Sequence, residues 1–229
     1  MAPEGVSVEP VGVEPAAASV VDDPAPVVSP ARPRLVLASA SPRRRRLLAD
    51  LGITVEVAPV DVDECARPGE TPAALARRLA ETKAVTGHAR RPGRSAAVVI
   101  GGDTVIDLDG EILGKPDDPA DAARMLRRLS GRSHQVVSAV AVADGQRCVV
   151  DLDRSTVWLR DLDDAEIEAY VATGEPLDVA GSYAIQGRAG VFVERIEGTY
   201  HGIVGLPIST LDRLSRELGW PLSDWAGSP

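Results

Sequence analysis

The chain has little cysteine and no long apolar run. Its two cysteines, Cys65 and Cys148, are too few for a disulfide framework and lack the spacing of metal ligands, so they predict a reducing compartment. No apolar stretch approaches the length of a membrane span, and the N-terminus lacks the basic-then-apolar order of a signal peptide. We therefore expect a cytoplasmic protein without a membrane segment.

Positive charge is also scarce overall. The formal net charge is -9 at pH 7, which argues against general binding to nucleic acids or membrane surfaces because both are polyanions. An anionic ligand would therefore have to meet a local basic patch. Only two of the 25 basic residues are lysines, Lys83 and Lys115. A compact ammonium suits phosphate oxygens, although chance placement is the alternative interpretation.

A basic patch is predicted near residue 43. The apolar run from Leu35 leads through Ser39 and Ser41 to Pro42 and then to four arginines, 43–46. This order predicts a strand, a tight turn and a helix capped by Ser41. The helix amides and the guanidinium groups of Arg43 and Arg44 would face one point and could hold a polyphosphate. A solvated basic helix face is the alternative.

Two segments that follow contain charged residues that are candidates for a binding site. Residues 61–64 form an acidic loop ending at Glu64, which is either solvated or able to hold a hard divalent cation. Thr71-Pro72 then opens a helix that we expect to end near Gly87. Lys83 would lie in its last turn, where a lysine is also an ordinary partner of the helix dipole.

A buried strand is predicted from Ala96 to Ile100, followed by Gly101-Gly102-Asp103-Thr104. A carboxylate at the end of a buried strand is a common catalytic position in α/β folds, whereas an aspartate that caps a turn is the alternative. A hairpin through Asp109-Gly110 would then bring Lys115 beside the strand that carries Asp103.

The remaining pattern alternates strands and helices to about residue 218 and predicts an α/β domain with a mixed sheet. Residues 1–33 are rich in Ala, Val and Pro and predict a disordered tail, and residues 219–229 are interpreted as a C-terminal tail. His134 and His201 are isolated and are interpreted as structural. The patterns of P-loop enzymes, dinucleotide oxidoreductases, zincins and serine hydrolases are absent from the sequence.

Five motifs, spread over residues 34–218, together resemble the Maf family of nucleoside triphosphate pyrophosphatases. They are Ser39-Ala40-Ser41-Pro42-Arg43-Arg44, Gly102-Asp103-Thr104-Val105, Leu113-Gly114-Lys115-Pro116, Ala184-Ile185-Gln186-Gly187 and Val204-Gly205-Leu206-Pro207. One position departs from the family, in which a lysine often precedes the Ala-Gly pair where this chain has Val179.

The resemblance implies an inosine-triphosphatase-like α/β fold with a mixed twisted sheet, flanking helices and an active-site cleft between two lobes. It also implies hydrolysis of a nucleoside triphosphate, such as dTTP or UTP, to the monophosphate and pyrophosphate, and a cytoplasmic homodimer. Asp103 would be the proton acceptor, and Arg43, Thr104 and Gln186 would set specificity.

The remaining candidate residues serve the phosphates and the cofactor. Phosphate binding is assigned to Ser39, Ser41, Arg44, Lys83 and Lys115. The implied cofactor is a divalent cation, Mg²⁺ or Mn²⁺, held by Glu64 and Asp103. Two alternatives stay open at this point: a nucleotide-binding regulator of septum formation and cell division with little turnover, and an enzyme that transfers a nucleotidyl group.

Overall fold

Seven strands form one sheet in the part of the chain that the computed structural model describes, which comprises Met1, residues 32–91 and residues 97–227. The predicted tail therefore lies almost wholly outside the described residues, as does Ala96. The strands are β1 (Arg34–Leu37), β2 (Glu56–Val57), β3 (Ala97–Leu108), β4 (Glu111–Leu113), β5 (Ser133–Ala143), β6 (Cys148–Leu159) and β7 (Val193–Glu197). The helices are α1 (Pro42–Asp50), α2 (Pro72–Ala89), α3 (Pro119–Leu129), α4 (Asp164–Val171), α5 (Tyr200–Val204) and α6 (Ile208–Glu217).

The sheet is mixed, as predicted. Its order is β2-β1-β3-β5-β6-β7, with β4 paired to β3. Strand β1 runs parallel to β2 and β3, whereas every other pairing is antiparallel. Apolar residues of β5 alternate between the two faces: Val140 and Val142 pack with α1 and α6, and Ala139 and Ala141 pack with α2. Helices therefore cover both faces, which confirms the predicted α/β architecture.

Three helices begin where a capping side chain precedes a proline. Ser41, Thr71 and Asp118 each accept a hydrogen bond from the backbone N–H three residues later, and the next residue is Pro42, Pro72 or Pro119. Proline suits the first helical position because no partner exists there for an N–H group. The local sequence therefore fixes the starts of α1 and α2, the two helices that carry candidate phosphate-binding residues.

Strand β3 continues through the glycine pair, so the prediction that a strand ends before Asp103 is wrong. A Cβ atom on Gly101 would lie 2.1 Å from the carbonyl oxygen of Ala80 and 2.6 Å from the amide nitrogen of Ala84. Glycine is therefore required for the close approach of α2 to the sheet. Asp103 consequently projects from the middle of a paired strand, directly opposite Ala139 of β5.

The C-terminal segment packs on the domain, which corrects its interpretation as a tail for residues 219–227. Leu222 and Trp225 are buried in the same core cluster as β1 and α1. The indole N–H of Trp225 donates to the carbonyl oxygen of Pro33 over 2.9 Å, and Ala226 pairs with Ile53 in an isolated bridge. Burial of the large apolar indole of Trp225 stabilises the packing of this segment on the domain.

Strand β2 comprises only two residues at the edge of the sheet. No helix among the described residues combines the length and the apolar character that a membrane crossing requires.

Candidate active site

One cleft of about 550 Å³ is lined by all ten residues predicted to act in catalysis, specificity, phosphate binding or metal binding. This volume lies within the usual range of small-molecule sites. The residues come from the β1–α1 turn, α1, the acidic loop, α2, β3, the turn after β4, and the segment that follows α4. They are Ser39, Ser41, Arg43, Arg44, Glu64, Lys83, Asp103, Thr104, Lys115 and Gln186.

The turn between β1 and α1 is organised by two serines. Ser41 caps α1 through a 3.4 Å hydrogen bond from the backbone N–H of Arg44, and its own N–H donates to the hydroxyl of Ser39 over 3.2 Å. Ser39 is buried, whereas Ser41 is half-buried. The turn therefore holds the N-terminus of α1, with its partial positive charge, at the wall of the cleft.

Arg44 is buried and uses its guanidinium to join three elements. Its Nε donates to the carbonyl oxygen of Gly205 over 2.8 Å, Nη1 to the hydroxyl of Ser39 over 3.1 Å, and Nη2 to the hydroxyl of Thr104 over 3.2 Å. Thr104 in turn shares a 2.8 Å hydrogen bond with Ser138. These contacts hold the floor of the cleft together. The guanidinium also places there the positive charge that the sequence predicts.

A buried ion pair occupies the same floor. Lys83 Nζ lies 2.8 Å from Asp103 Oδ1 and 2.5 Å from Glu64 Oε1. The side chains of Lys83 and Asp103 are 8% and 11% exposed, whereas that of Glu64 is 58% exposed. Because α2 extends to Ala89, Lys83 lies in the helix interior, so its predicted place in the last turn is wrong. Its ammonium faces a carboxylate rather than the helix C-terminus.

The ionisation of Asp103 reflects opposing influences. Burial raises the pKa of Asp103 above its ordinary value, while the charges of Lys83 and Arg44 act in the opposite direction. A carboxylate with a raised pKa accepts a proton more readily than an exposed one. Its place in a cleft among cations makes Asp103 a candidate general base.

The donor set suits a divalent cation that is also coordinated by a ligand. Among residues 32–91 and 97–227, no three His, Cys, Asp or Glu side chains form a complete metal cage. Two carboxylates, those of Glu64 and Asp103, do converge on one point, which Lys83 Nζ occupies. Mg²⁺ commonly takes one or two carboxylates together with phosphate oxygens and water. The predicted pair therefore fits a cation that binds together with a polyphosphate through Glu64 Oε2 and Asp103 Oδ2, the carboxylate oxygens that Lys83 does not contact.

The outer rim of the cleft carries two cations near Asp178, the exposed Lys115 and the half-buried Arg43. Lys115 forms an ion pair with the Asp178 carboxylate, and Arg43 Nη2 donates to the backbone carbonyl of Asp178 over 2.9 Å. The side chains of Lys115 and Asp178 are 59% and 69% exposed, so this ion pair contributes little to folding stability. The Lys115 ammonium and the Arg43 guanidinium line the cleft, where an entering anion can reach them. Gln186 is exposed on the same rim.

Residues 34–218 match the family described as Maf-like protein. The chain belongs to the Maf family. It is 49% identical over 191 residues to the dTTP/UTP pyrophosphatase of Chromobacterium violaceum, a match that covers 82% of this chain and 96% of the relative. The dTTP/UTP pyrophosphatase of Geobacter sulfurreducens is 50% identical over 190 residues, covering 81% and 97% of the two chains. The resemblance inferred from the five motifs is confirmed.

Two solved structures match this Maf family member over about half of its length. The nucleoside-triphosphatase, or dITP/XTP pyrophosphatase, of Mycobacterium abscessus aligns with a TM-score of 0.35 and 21% identity, covering 55% of this chain and 72% of that one. The Ham1 protein of Staphylococcus aureus aligns with a TM-score of 0.41 and 17% identity, covering 56% and 72%.

Sequence reasoning missed three residues that contact the predicted site. Asp178 pairs with Lys115, and Tyr170 and Glu175 form hydrogen bonds with the backbone on either side of Gln186. None of the three stands in one of the five motifs, and single acidic or aromatic residues carry no pattern of their own. Only the fold of α4 and of the segment after it brings Tyr170 and Glu175 to the backbone beside Gln186 and Asp178 to the cleft.

His134 is a buried structural residue, as predicted. Its Nε2 lies 2.6 Å from the hydroxyl of Tyr183, and their rings meet edge to face at 5.3 Å. Burial lowers the pKa of His134 to about 4. The imidazole is therefore neutral in the folded protein at neutral pH, and it fixes Tyr183, which lines the cleft.

We expect His134 to make the protein less stable in acid. The unfolded chain binds a proton near pH 6.5, whereas the folded protein binds it only near pH 4. Stability is therefore fully present above pH 6.5 and falls by about 3 kcal/mol as the pH drops to 4. Urea unfolding from pH 4 to 7 should show this loss in the wild type and a flatter profile in His134→Gln. His201→Gln is the control. A profile in His134→Gln as steep as that of the wild type would show that His134 does not cause the loss of stability in acid.

Proposed function

We propose that this chain hydrolyses nucleoside triphosphates, dTTP and UTP in particular, to the nucleoside monophosphate and pyrophosphate. The names and high identity of the two Maf relatives support the reaction class. The observation that carries the proposal is that buried Asp103 lies in one cleft with Arg43, Lys83 and Lys115. A base and several cations around one cavity suit attack on a phosphorus atom within a polyphosphate.

Asp103 acts as the general base in this proposal. Its carboxylate orients a water molecule and accepts a proton from it as the water oxygen attacks the α-phosphorus in line. A bond then forms between that oxygen and the α-phosphorus, while the bond to the bridging oxygen of the β-phosphate breaks. Pyrophosphate leaves with that oxygen, and the monophosphate keeps the oxygen from water.

The cations hold the triphosphate for this attack. Arg43 and Lys115 on the rim exchange their contacts with Asp178 for phosphate oxygens, and the N-terminus of α1 provides further positive potential. Ser39 and Arg44 keep that turn in place. Much of the rate enhancement would then come from placement and from electrostatic stabilisation of the transferring group.

A divalent cation completes the proposal. Glu64 and Asp103 are the residues that would hold Mg²⁺ or Mn²⁺, together with oxygens of the nucleotide. When bound, the cation neutralises charge that develops on the phosphates. Lys83, which contacts both carboxylates, would keep Asp103 ionised and correctly oriented.

Base recognition is assigned to the rim at Gln186. A glutamine amide can accept a hydrogen bond from the N3–H of uracil or thymine and donate one to O4, if its orientation is fixed. Thr104 and Arg43 are the other two proposed specificity residues. The Thr104 hydroxyl already contacts Arg44 and Ser138, so its contribution depends on that network.

A substrate panel tests the proposed function. The full chain is incubated with Mg²⁺ and UTP, dTTP, CTP or GTP, and released pyrophosphate is measured through a coupled pyrophosphatase. Equal amounts of monophosphate and pyrophosphate, with UTP and dTTP preferred, are expected. Tight nucleotide binding without turnover would instead favour a regulator, and a product that requires an added acceptor would favour nucleotidyl transfer.

We expect Gln186→Ala to narrow the preference for UTP over GTP by about 10-fold or more. The variant removes two hydrogen bonds to the base, each worth roughly 1 kcal/mol. The ratio of kcat/KM for UTP and GTP measures the effect, because stability changes affect both substrates alike. Gln146→Ala, in the exposed turn between β5 and β6, is the matched control. An unchanged ratio in Gln186→Ala would show that the base is recognised elsewhere.

A further inference from the structure

The turn that carries Gln186 is tight, and it exposes Gln186 and Gly187. The N–H of Gly187 donates to the carbonyl oxygen of Ala184 over 2.9 Å, and Gln186 lies between them. Within the described residues, no hydrogen bond joins the side-chain amide of Gln186 to a protein group. The position of this amide therefore depends on what holds the backbone from Ala184 to Arg188.

Two side chains hold both ends of this turn. The N–H of Ala184 donates to the Tyr170 hydroxyl over 3.2 Å, and that hydroxyl donates to Glu175 Oε1 over 2.9 Å. The Glu175 carboxylate also accepts from the N–H of Arg188, at 3.0 Å to Oε1 and 3.2 Å to Oε2. The two ends of the turn are thus linked through one hydroxyl and one carboxylate.

Both anchors are themselves fixed. Tyr170 is 4% exposed at the end of α4, and its ring meets that of Phe192 edge to face at 5.2 Å. Burial raises the pKa of Tyr170, so its hydroxyl stays protonated and can donate to Glu175. Glu175 follows Gly174, which has a left-handed backbone, and the Glu175 N–H donates to the hydroxyl of Thr173 over 3.2 Å.

The carboxylate lies unusually close to the turn. A Cβ atom on Gly187 would lie only 2.3 Å from Glu175 Oε1. This distance is too short for a contact, so any other residue type at this position would displace the carboxylate. Glycine at this position therefore permits the contact between the turn and Glu175. The sequence and the hydrogen bonds thus agree on one arrangement of this turn.

We propose that Tyr170 and Glu175 are positioning residues that set the discrimination between pyrimidine and purine nucleotides by fixing the turn that carries Gln186. This inference deepens the proposed function and rests on it. A glutamine distinguishes hydrogen-bonding patterns only if its amide is held in place relative to the base. Neither Tyr170 nor Glu175 needs to touch the nucleotide.

Amide hydrogen exchange tests the anchoring without reference to activity. In Tyr170→Phe, the N–H of Ala184 loses its acceptor, and in Glu175→Ala, the N–H of Arg188 loses its acceptor. We expect exchange over residues 184–188 to accelerate by about 10-fold in both variants, while the melting temperature falls by no more than about 10 °C, so that the protein stays folded at 25 °C. Glu175→Gln keeps an acceptor oxygen and should restore most of the protection. Tyr200→Phe and Glu168→Ala, which alter exposed residues, are the matched controls.

Nucleotide binding tests the consequence. UTP and GTP analogues with an imido group between the α- and β-phosphorus atoms resist hydrolysis, so the ratio of their Kd values reports discrimination alone. We expect Tyr170→Phe and Glu175→Ala each to reduce this ratio about 5-fold, with recovery in Glu175→Gln. In a Gln186→Ala background, the same two substitutions should change the ratio no further, because they act through Gln186.

Three results would overturn this inference: unchanged exchange over residues 184–188, faster exchange with an unchanged Kd ratio, or an equal loss of discrimination in the Gln186→Ala background. All three of these results would be measured on the variants. Failure of the proposed function would instead be measured on the wild type, as an absence of turnover with UTP and dTTP. A wild type that binds both analogues equally well would overturn the pyrimidine preference and this inference together.

Discussion

Replacing Asp103 with asparagine should reduce kcat for UTP at least ~100-fold while leaving the protein folded. The amide keeps the shape of the carboxylate but cannot accept the proton of the attacking water, and a general base contributes roughly this factor or more. Folding should survive because Lys83 keeps its contact with Glu64 and the asparagine oxygen can still accept a hydrogen bond. Steady-state release of pyrophosphate measures kcat, and thermal unfolding checks the fold.

A control on the same strand separates catalysis from structure. Asp107→Asn also lies on β3, and its side-chain oxygen can still accept the hydrogen bond from the N–H of Gly110. We expect this variant to retain wild-type turnover. Turnover in Asp103→Asn within a few-fold of that of Asp107→Asn would remove Asp103 from the central role in the proposed reaction.

Local sequence signals were sufficient for the helix starts and for the cationic turn. Ser41-Pro42 and Thr71-Pro72 each combine a capping oxygen with a residue that needs no hydrogen-bond partner, so the helix start depends only on adjacent residues. The five motifs likewise contain eight of the ten candidate residues that line one cleft, whereas Glu64 came from the acidic loop and Lys83 from the second predicted helix. Their individual roles in binding and catalysis stay predictions.

Contacts between distant segments could not be predicted from local sequence patterns. Gly101-Gly102 is typical of a turn in an isolated sequence, yet here the pair stays in β3 because α2 packs against Gly101. The same packing turns Lys83 toward Asp103, a contact that depends on the relative position of a helix and a strand. The burial of Trp225 and the hydrogen bond between Glu175 and the turn that carries Gln186 also depend on tertiary contacts. No periodic sequence pattern predicts them.

Removing the ammonium of Lys83 should have the second large effect, both on stability and on the pH dependence of the reaction. Lys83→Met keeps the length of the side chain but leaves Asp103 buried without its closest cation. Loss of one partner of a buried ion pair costs about 3–5 kcal/mol of unfolding free energy. The charge of Lys83 opposes the effect of burial on the pKa of Asp103, so this pKa should rise further in the variant.

The acid limb of kcat/KM therefore moves to higher pH, by about 1–3 units, because the base must be deprotonated to act. Part of the activity that Lys83→Met loses at neutral pH should consequently return in alkaline buffer, whereas Asp103→Asn should recover nothing. Arg77→Met, which removes a cation from the partly exposed face of the same helix, is the control and should leave the limb in place. An acid limb that does not move in Lys83→Met would show that ionisation of the Asp103–Lys83 pair does not control the reaction.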